Sequence, residues 1–232
     1  MPPRALEPAG VALVDKPSGP SSFAIVAQIR RMTGARTGHA GTLDPFATGL
    51  LLVLSGRATK IAPCLVGLDK RYLTDVDLTA RTSTGDPEGK VVERLEPLDG
   101  AELDRRLAGL RGEIELPVPA TSAVKIGGER AYRLARRGVE VEMPLRRSTV
   151  HALDVIAYMG NPDAIEAVTL DLRVSSGTYV RAIAEALGGH CRTLRRTEVG
   201  PFSVADAVTP ESFEPRLLLA EAEVLARVGE PA

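Results

Sequence analysis

The chain of 232 residues has no tryptophan and only four tyrosines and four phenylalanines. Its core must therefore be mainly aliphatic, and any surface that stacks on a planar ring draws on a short list of residues. Cysteine is as scarce: Cys64 and Cys191 lie far apart, outside any CxxC or Cys/His cluster, which argues against a disulfide framework or a zinc site. No apolar run approaches the roughly 20 residues of a membrane-spanning helix, and the N-terminus lacks the basic-then-apolar layout of a signal peptide. Walker, GxGxxG and HExxH patterns are absent. Neither charge dominates, with 29 Lys and Arg against 30 Asp and Glu, so a uniformly basic nucleic-acid binder is excluded. These absences leave the expectation of a cytoplasmic, metal-free protein.

What is present is an aliphatic chain long enough to bury a sizeable core as one large domain or two modest ones. A strand is expected over 10–15, then a Lys-Pro-Ser-Gly-Pro turn. Ser21 or Ser22 caps a helix to about Met32, with Phe23, Ile25, Val26 and Ile29 on its apolar side. The apolar run 50–54 and a short helix over 57–65 follow. Alternation predicts a strand over 71–80. Helices are expected over 101–109, 130–137 and 178–187, and strands over 149–158 and 166–175 form a hairpin around Gly160-Asn161-Pro162-Asp163. Pro215 opens a last helix reaching about Val228. Strands and helices mix without regular βαβ alternation, so the fold class is α+β.

The arginines cluster: Arg30, Arg31 and Arg36; Arg130, Arg133, Arg136 and Arg137; Arg146 and Arg147; Arg192, Arg195 and Arg196. Such forks suit phosphates, which respond to local patches rather than to net charge. One acid stands out. Asp44 sits in Gly38-His39-Ala40-Gly41-Thr42-Leu43-Asp44-Pro45-Phe46-Ala47-Thr48-Gly49-Leu50-Leu51, where three glycines and a proline constrain the backbone just ahead of an apolar run. A carboxylate on so constrained a loop is a candidate catalytic group, although Asp-Pro is also ordinary turn chemistry. Tyr72, beside Lys70 and Arg71, and Tyr179, in a small-residue turn that opens a helix, both have polar and cationic neighbours. Arg181, two residues beyond Tyr179, can pair with a carboxylate; were that Asp44, the pair would keep it ionised.

These segments recur in order: Val14-Asp15-Lys16-Pro17-Ser18-Gly19, the Asp44 loop, Asp69-Lys70-Arg71-Tyr72, Thr82-Ser83-Thr84-Gly85-Asp86-Pro87-Glu88-Gly89, Ser122-Ala123-Val124-Lys125, Ser176-Gly177-Thr178-Tyr179-Val180-Arg181 and Leu194-Arg195-Arg196. In that order they resemble the TruB family of tRNA pseudouridine synthases, of the bacterial type that acts on the T-loop uridine at position 55. The match runs from about Gly10 to Val208. The resemblance implies an α+β pseudouridine-synthase fold, with a bent, mainly antiparallel sheet, flanking helices and a central catalytic cleft. It implies Asp44 as the essential aspartate, Tyr72 packing against the target base, and His39 filling the space the flipped nucleotide leaves. Arg181 corresponds to the partner of the catalytic carboxylate, and Tyr179 and Leu194 to pocket-lining residues.

The implied reaction breaks the N1–C1′ bond of uridine, turns the uracil and rejoins it through C5, with no redox step and no net hydrolysis. Neither cofactor nor metal is expected. Asp44 would attack C1′ as a nucleophile or remove the C2′ proton as a base. The expected partner is tRNA through its T-arm stem-loop, with no membrane, no obligatory protein partner, and a monomer as the default. Residues 1–232 are read as one catalytic domain, with an RNA-clamp insertion at about 120–147, a C-terminal helix within 209–232 and no C-terminal PUA-like domain. Two segments depart from the family pattern: Thr121 stands where an aromatic is usual, and the link 188–193 is short and lacks the customary Gly-x-Gly-Ala. Two other functions compete with this reading: a tRNA-refolding chaperone with incidental isomerase activity, and a guide-RNA-dependent pseudouridine synthase.

Overall fold

A computed structural model describes residues 8–122, 124–137, 139 and 141–229. The chain divides into two compact units, one built from its N-terminal 72 residues and everything from Arg195 onward, the other from Leu73–Leu194.

The first unit opens with β1 (Gly10–Lys16), α1 (Ser22–Thr33), β2 (Thr37–His39) and β3 (Thr48–Ser55). A 3-10 turn over Gly56–Ile61 runs into the short helix α2 (Ala62–Val66), with Pro63 in its first turn, where its missing N–H costs least. Strand β4 (Lys70–Asp77) then leaves this unit. Strand β3 explains why 50–54 is apolar without alternation: both its faces are covered. Leu50, Leu52 and Leu54 pack with Val11, Leu13 and Phe202, while Leu51 and Val53 pack with Ala12, Val14, Ile25, Ile29 and Phe213. Ser21 caps α1 by accepting the Ala24 N–H, and Gly34 closes it in the left-handed region. Phe23 does not join the apolar side of α1; it is 77% exposed. Helical spacing explains this, since Ile25, Val26 and Ile29 define the buried stripe and Phe23 falls outside it.

The second unit contains the pair β5 (Ala80–Thr82) and β6 (Val91–Arg94), then α3 (Gly100–Ala108) and β7 (Gly112–Pro117). Next come the two-residue strands β8 (Lys125–Ile126) and β9 (Glu129–Arg130), and α4 (Ala131–Arg136). The hairpin follows as β10 (Leu145–Asn161) and β11 (Ala164–Val174), joined at Asn161↔Ala164, with the Asn161 side chain accepting the Asp163 N–H. Strands here order β4-β11-β10-β7, and both β10 pairings are antiparallel. The expected strand over 71–80 is cut at Asp77, whose carboxylate takes the Thr79 N–H and hydroxyl and so turns the chain before β5.

Helix α5 (Val180–Leu187) ends at Gly188, φ 103°, and β12 (His190–Val199) starts two residues later. The supposed link 188–193 is therefore mostly strand. Gly189 makes this abrupt return possible, because a Cβ there would overlap the Asp77 carbonyl oxygen. Strand β12 carries the chain back to the first unit, where Arg195 and Arg196 pair parallel with Thr48 and Gly49 of β3. There β13 (Phe202–Ser203) folds back on it. The final helix is shorter than expected: a 3-10 turn occupies Pro215–Leu217 and α6 spans Glu221–Gly229. Between them Leu219 exchanges both backbone hydrogen bonds with Val11, at 3.0 and 2.9 Å, so the chain is extended there. Residues 123, 138 and 140 of the expected clamp and 230–232 of the expected terminal helix lie outside the described residues.

Candidate active site

The Asp44 loop lies between β2 and β3, and buried cations brace it from two sides. Lys16 is fully buried at the end of β1, after the apolar run Val11–Val14 and Asp15. Its ammonium donates to the carbonyls of Pro17 (2.9 Å), Pro45 (3.0 Å) and Ala47 (2.6 Å). Arg196, 1% exposed, donates to Leu50 O (2.7 Å) and Gly41 O (3.1 Å), tying the two ends of the loop together. A third brace comes from Ser22, whose hydroxyl donates to Leu43 O and accepts from Leu43 N, both at 2.8 Å. Both cations donate to backbone carbonyls, which offsets part of the cost of burying their charge.

Two glycines are required by this arrangement. Gly49 has φ 103°, and a Cβ there would overlap the Arg196 carbonyl oxygen; Gly41 has φ 98° and faces the Arg196 guanidinium. The loop is thus a rigid mount. Asp44 is half-buried on it, next to Leu43, and its carbonyl accepts the Ala47 N–H at 3.2 Å.

His39 ends β2, half-buried, with Nδ1 buried and unpaired. Burial first, and the Arg196 charge second, hold its pKa below the ordinary 6.5, so the ring is neutral near pH 7. Lys70 feels the same two influences and is lowered from 10.5 to about 8, with Asp69 opposing them. Its ammonium donates to Val66 O at 2.6 Å and to Leu68 O. Because the folded pKa lies below the unfolded one, the folded chain binds fewer protons between pH 8 and 10.5. The contribution of Lys70 to stability therefore rises with pH across that window. In urea denaturation, the difference between wild type and Lys70→Met should move in favour of wild type from about pH 8 to about pH 10; a pH-independent difference would contradict this. Tyr72, two residues on, is buried on β4.

In the second unit Arg181, on the first turn of α5, is 3% exposed. It donates to Thr84 O (2.7 Å), to the Thr121 hydroxyl and to Thr121 O (3.3 Å), and pairs with Asp86 at 3.5 Å. The Asp86 carboxylate in turn accepts from the Thr84 hydroxyl and the Glu88 N–H (3.1 Å), while Thr82 caps the Asp86 carbonyl at 2.7 Å. The segment 82–89 is therefore a folded socket for Arg181. Thr121, the departure from the family aromatic, is part of that socket. Burial raises the pKa of Glu185, one turn along α5, against the opposing pull of Arg181.

Tyr179 is the half-buried residue preceding α5. It borders a small hollow with Ile114, Leu116, Arg146, Ser148 and Gly177. Leu194 is buried on β12. The structure thus gathers Asp44, His39 and Tyr72 in one unit, and Tyr179, Arg181 and Leu194 in the other. Lys16, Ser22, Lys70, Asp86 and Arg196 received no individual role from the sequence. At Lys16 the one available signal was a cation directly following an apolar run; Arg196, in the polar strand β12, offered none.

The fold is that of the pseudouridine synthases. Among solved structures it is similar to a chain of a Cbf5-Nop10-Gar1 complex, with a TM-score of 0.67 and 26% identity over 94% of this chain and 62% of that one. It is also similar in fold to a chain of an H/ACA RNP bound to a substrate RNA containing 2′-deoxyuridine, with a TM-score of 0.62 and 24% identity over 88% of this chain. Of that second chain it spans about half the length, 52%. Residues 30–180 match the TruB family pseudouridylate synthase (N terminal domain) model. Relatives named tRNA pseudouridine synthase B are 42% identical in Leifsonia xyli subsp. xyli, over 90% of this chain and 73% of the relative, and 44% identical in Corynebacterium jeikeium, over 96% and 77%. The chain belongs to the TruB family of pseudouridylate synthases.

Proposed function

We propose that the chain is an isomerase that converts uridine-55 in the T-loop of tRNA to pseudouridine, with Asp44 as the catalytic residue. The observation that carries this reading is the buried bracing of the Asp44 loop by Lys16, Arg196 and Ser22, in a chain 42–44% identical to relatives named for that activity. A rigid mount matters because a misplaced carboxylate loses most of its advantage in orientation. The target base must leave its stack before any side chain reaches C1′, which costs a few kcal/mol. A neutral His39 can enter the space left behind without the cost of desolvating a charge, and Tyr72 would pack against the flipped uracil.

Asp44 acts as the carboxylate, attacking C1′ or taking the C2′ proton while N1 departs with the bonding pair. The uracil turns and C5 bonds to C1′, displacing the Asp44 carboxylate in the first route or with Asp44 returning the proton to C2′ in the second; C5 then gives up its proton and N1 gains one, so the product is an isomer of the substrate. Arg181, held in its socket, would stabilise the Asp44 carboxylate, with Tyr179 and Leu194 lining the pocket. No helix among the described residues is long and apolar enough to cross a membrane, which suits an enzyme working on tRNA in the cytoplasm.

The chain is proposed to work as a monomer, without guide RNA or protein partner. Its identity to the relatives named for tRNA, 42–44%, well exceeds its 26% to the Cbf5 complex. The test is incubation of the purified chain with an isolated T-arm stem-loop, followed by digestion and nucleoside chromatography. One pseudouridine per stem-loop, at the T-loop position, is expected; none without an added guide overturns the reading.

A further inference from the structure

No Asp or Glu stands between Asp15 and Asp44, a stretch that carries Lys16, Arg30, Arg31, Arg36 and His39. This is the largest departure from charge balance next to the catalytic loop. Much of the stretch is α1. Its buried stripe of Ile25, Val26 and Ile29 packs inward, while Phe23, Ala27, Arg30 and Arg31 are exposed, at i, i+4, i+7 and i+8 along one face. Arg36, just beyond the helix, is exposed as well. None of these three arginines forms an ion pair among the described residues.

We propose that the exposed face of α1 binds the sugar-phosphate backbone of the substrate RNA as it leaves the Asp44 loop, with Phe23 stacking on a base or ribose and Arg30, Arg31 and Arg36 on phosphates. The proposal rests on the reading of the chain as a tRNA-modifying enzyme. Three observations carry it. The helix is clipped to the loop, because Ser22 holds Leu43 and the Thr37 hydroxyl donates to Val26 O at 3.3 Å. An RNA strand placed at Asp44 is thereby set against the start of α1. From Ser22 to Arg30 the helix rises about 12 Å, room for about two phosphates along it, and the small Ala27 midway leaves a strand free to lie close. Finally, an exposed phenylalanine in a chain with four of them costs solubility without stabilising the core, whereas ring stacking on RNA tolerates any base. The structural alternative for Arg30 and Arg31 is their position in the last turn of α1, where cations favour the helix dipole. That role makes no demand on Phe23 or Arg36.

The test compares binding of unmodified tRNA by wild type, Phe23→Ala and the double variant Arg30→Gln/Arg31→Gln across a salt series. The double variant should bind more weakly, and the slope of log K against log salt should fall by about 1 to 2, as expected for the loss of one or two phosphate contacts. Phe23→Ala should lose about tenfold in affinity with its slope unchanged. Because Phe23 is exposed, its truncation leaves the core intact and serves as the independent arm. Wild-type affinity and slope in all variants would overturn the proposal, and is the result expected if this face instead receives a protein. If wild type itself fails to bind tRNA, the functional reading falls and this inference with it.

Discussion

Replacing Asp44 by Asn lowers pseudouridine formation by about 10³-fold or more while tRNA binding stays within about threefold of wild type. The substitution keeps the shape of the side chain, and the braces from Lys16, Ser22 and Arg196 to backbone atoms of Pro45, Ala47, Leu43 and Gly41 stay available to hold the loop. What it removes is the negative charge. An amide is too weak a nucleophile for C1′ and too weak a base for the C2′ proton, so both routes fail together. Single-turnover assays with tRNA, alongside equilibrium binding, separate chemistry from recognition. A variant that isomerises at near wild-type rate would refute the assignment of Asp44. Parallel loss of binding would instead mean that the loop is chiefly a recognition element, which is what a refolding chaperone would need.

Much of the fold was legible because local signals and burial agreed. The 149–158 and 166–175 strands, the helix over 178–187 and the apolar run of β3 each carried the periodicity of their final environment. Failures occurred where distant backbone decided the outcome. Leu219 is extended because it pairs with Val11, which no local propensity for helix around 215–228 could reveal. Strand β12 begins at His190 because Gly189 passes over the Asp77 carbonyl, a long-range contact. Hydrophobicity alone places Phe23 in the core, although the helical stripe excludes it. The site divides in the same way. The constrained setting of Asp44 was readable from its glycines and proline, and the ordered segments supplied His39, Tyr72, Tyr179, Arg181 and Leu194 as candidates beside it. The braces were not readable, since Lys16 and Arg196 act on carbonyl groups that every residue possesses, and only the fold says which ones lie within reach.

Arg196→Met tests whether the mount matters as much as the carboxylate. Methionine fills part of the volume but donates nothing, leaving the Leu50 and Gly41 carbonyls without this donor. An unsatisfied buried carbonyl costs about 1–3 kcal/mol, so a destabilisation of about 2–5 kcal/mol is expected, read by urea denaturation. Some relief comes from removing a buried cation that repels Lys70 and a protonated His39, which places the result toward the lower end. That same repulsion supplies a second readout, independent of stability. With the Arg196 charge gone, the pKa of His39 should rise toward its ordinary value, leaving only burial to depress it. Histidine titration by NMR follows this directly, and an unchanged His39 pKa would mean that the guanidinium and imidazole do not sense each other. Activity should fall with the loop's order even where the protein remains folded, because the Gly41 end of the loop then has one anchor fewer. A folded Arg196→Met variant with wild-type kcat would show that Lys16 and Ser22 suffice to hold Asp44 in place.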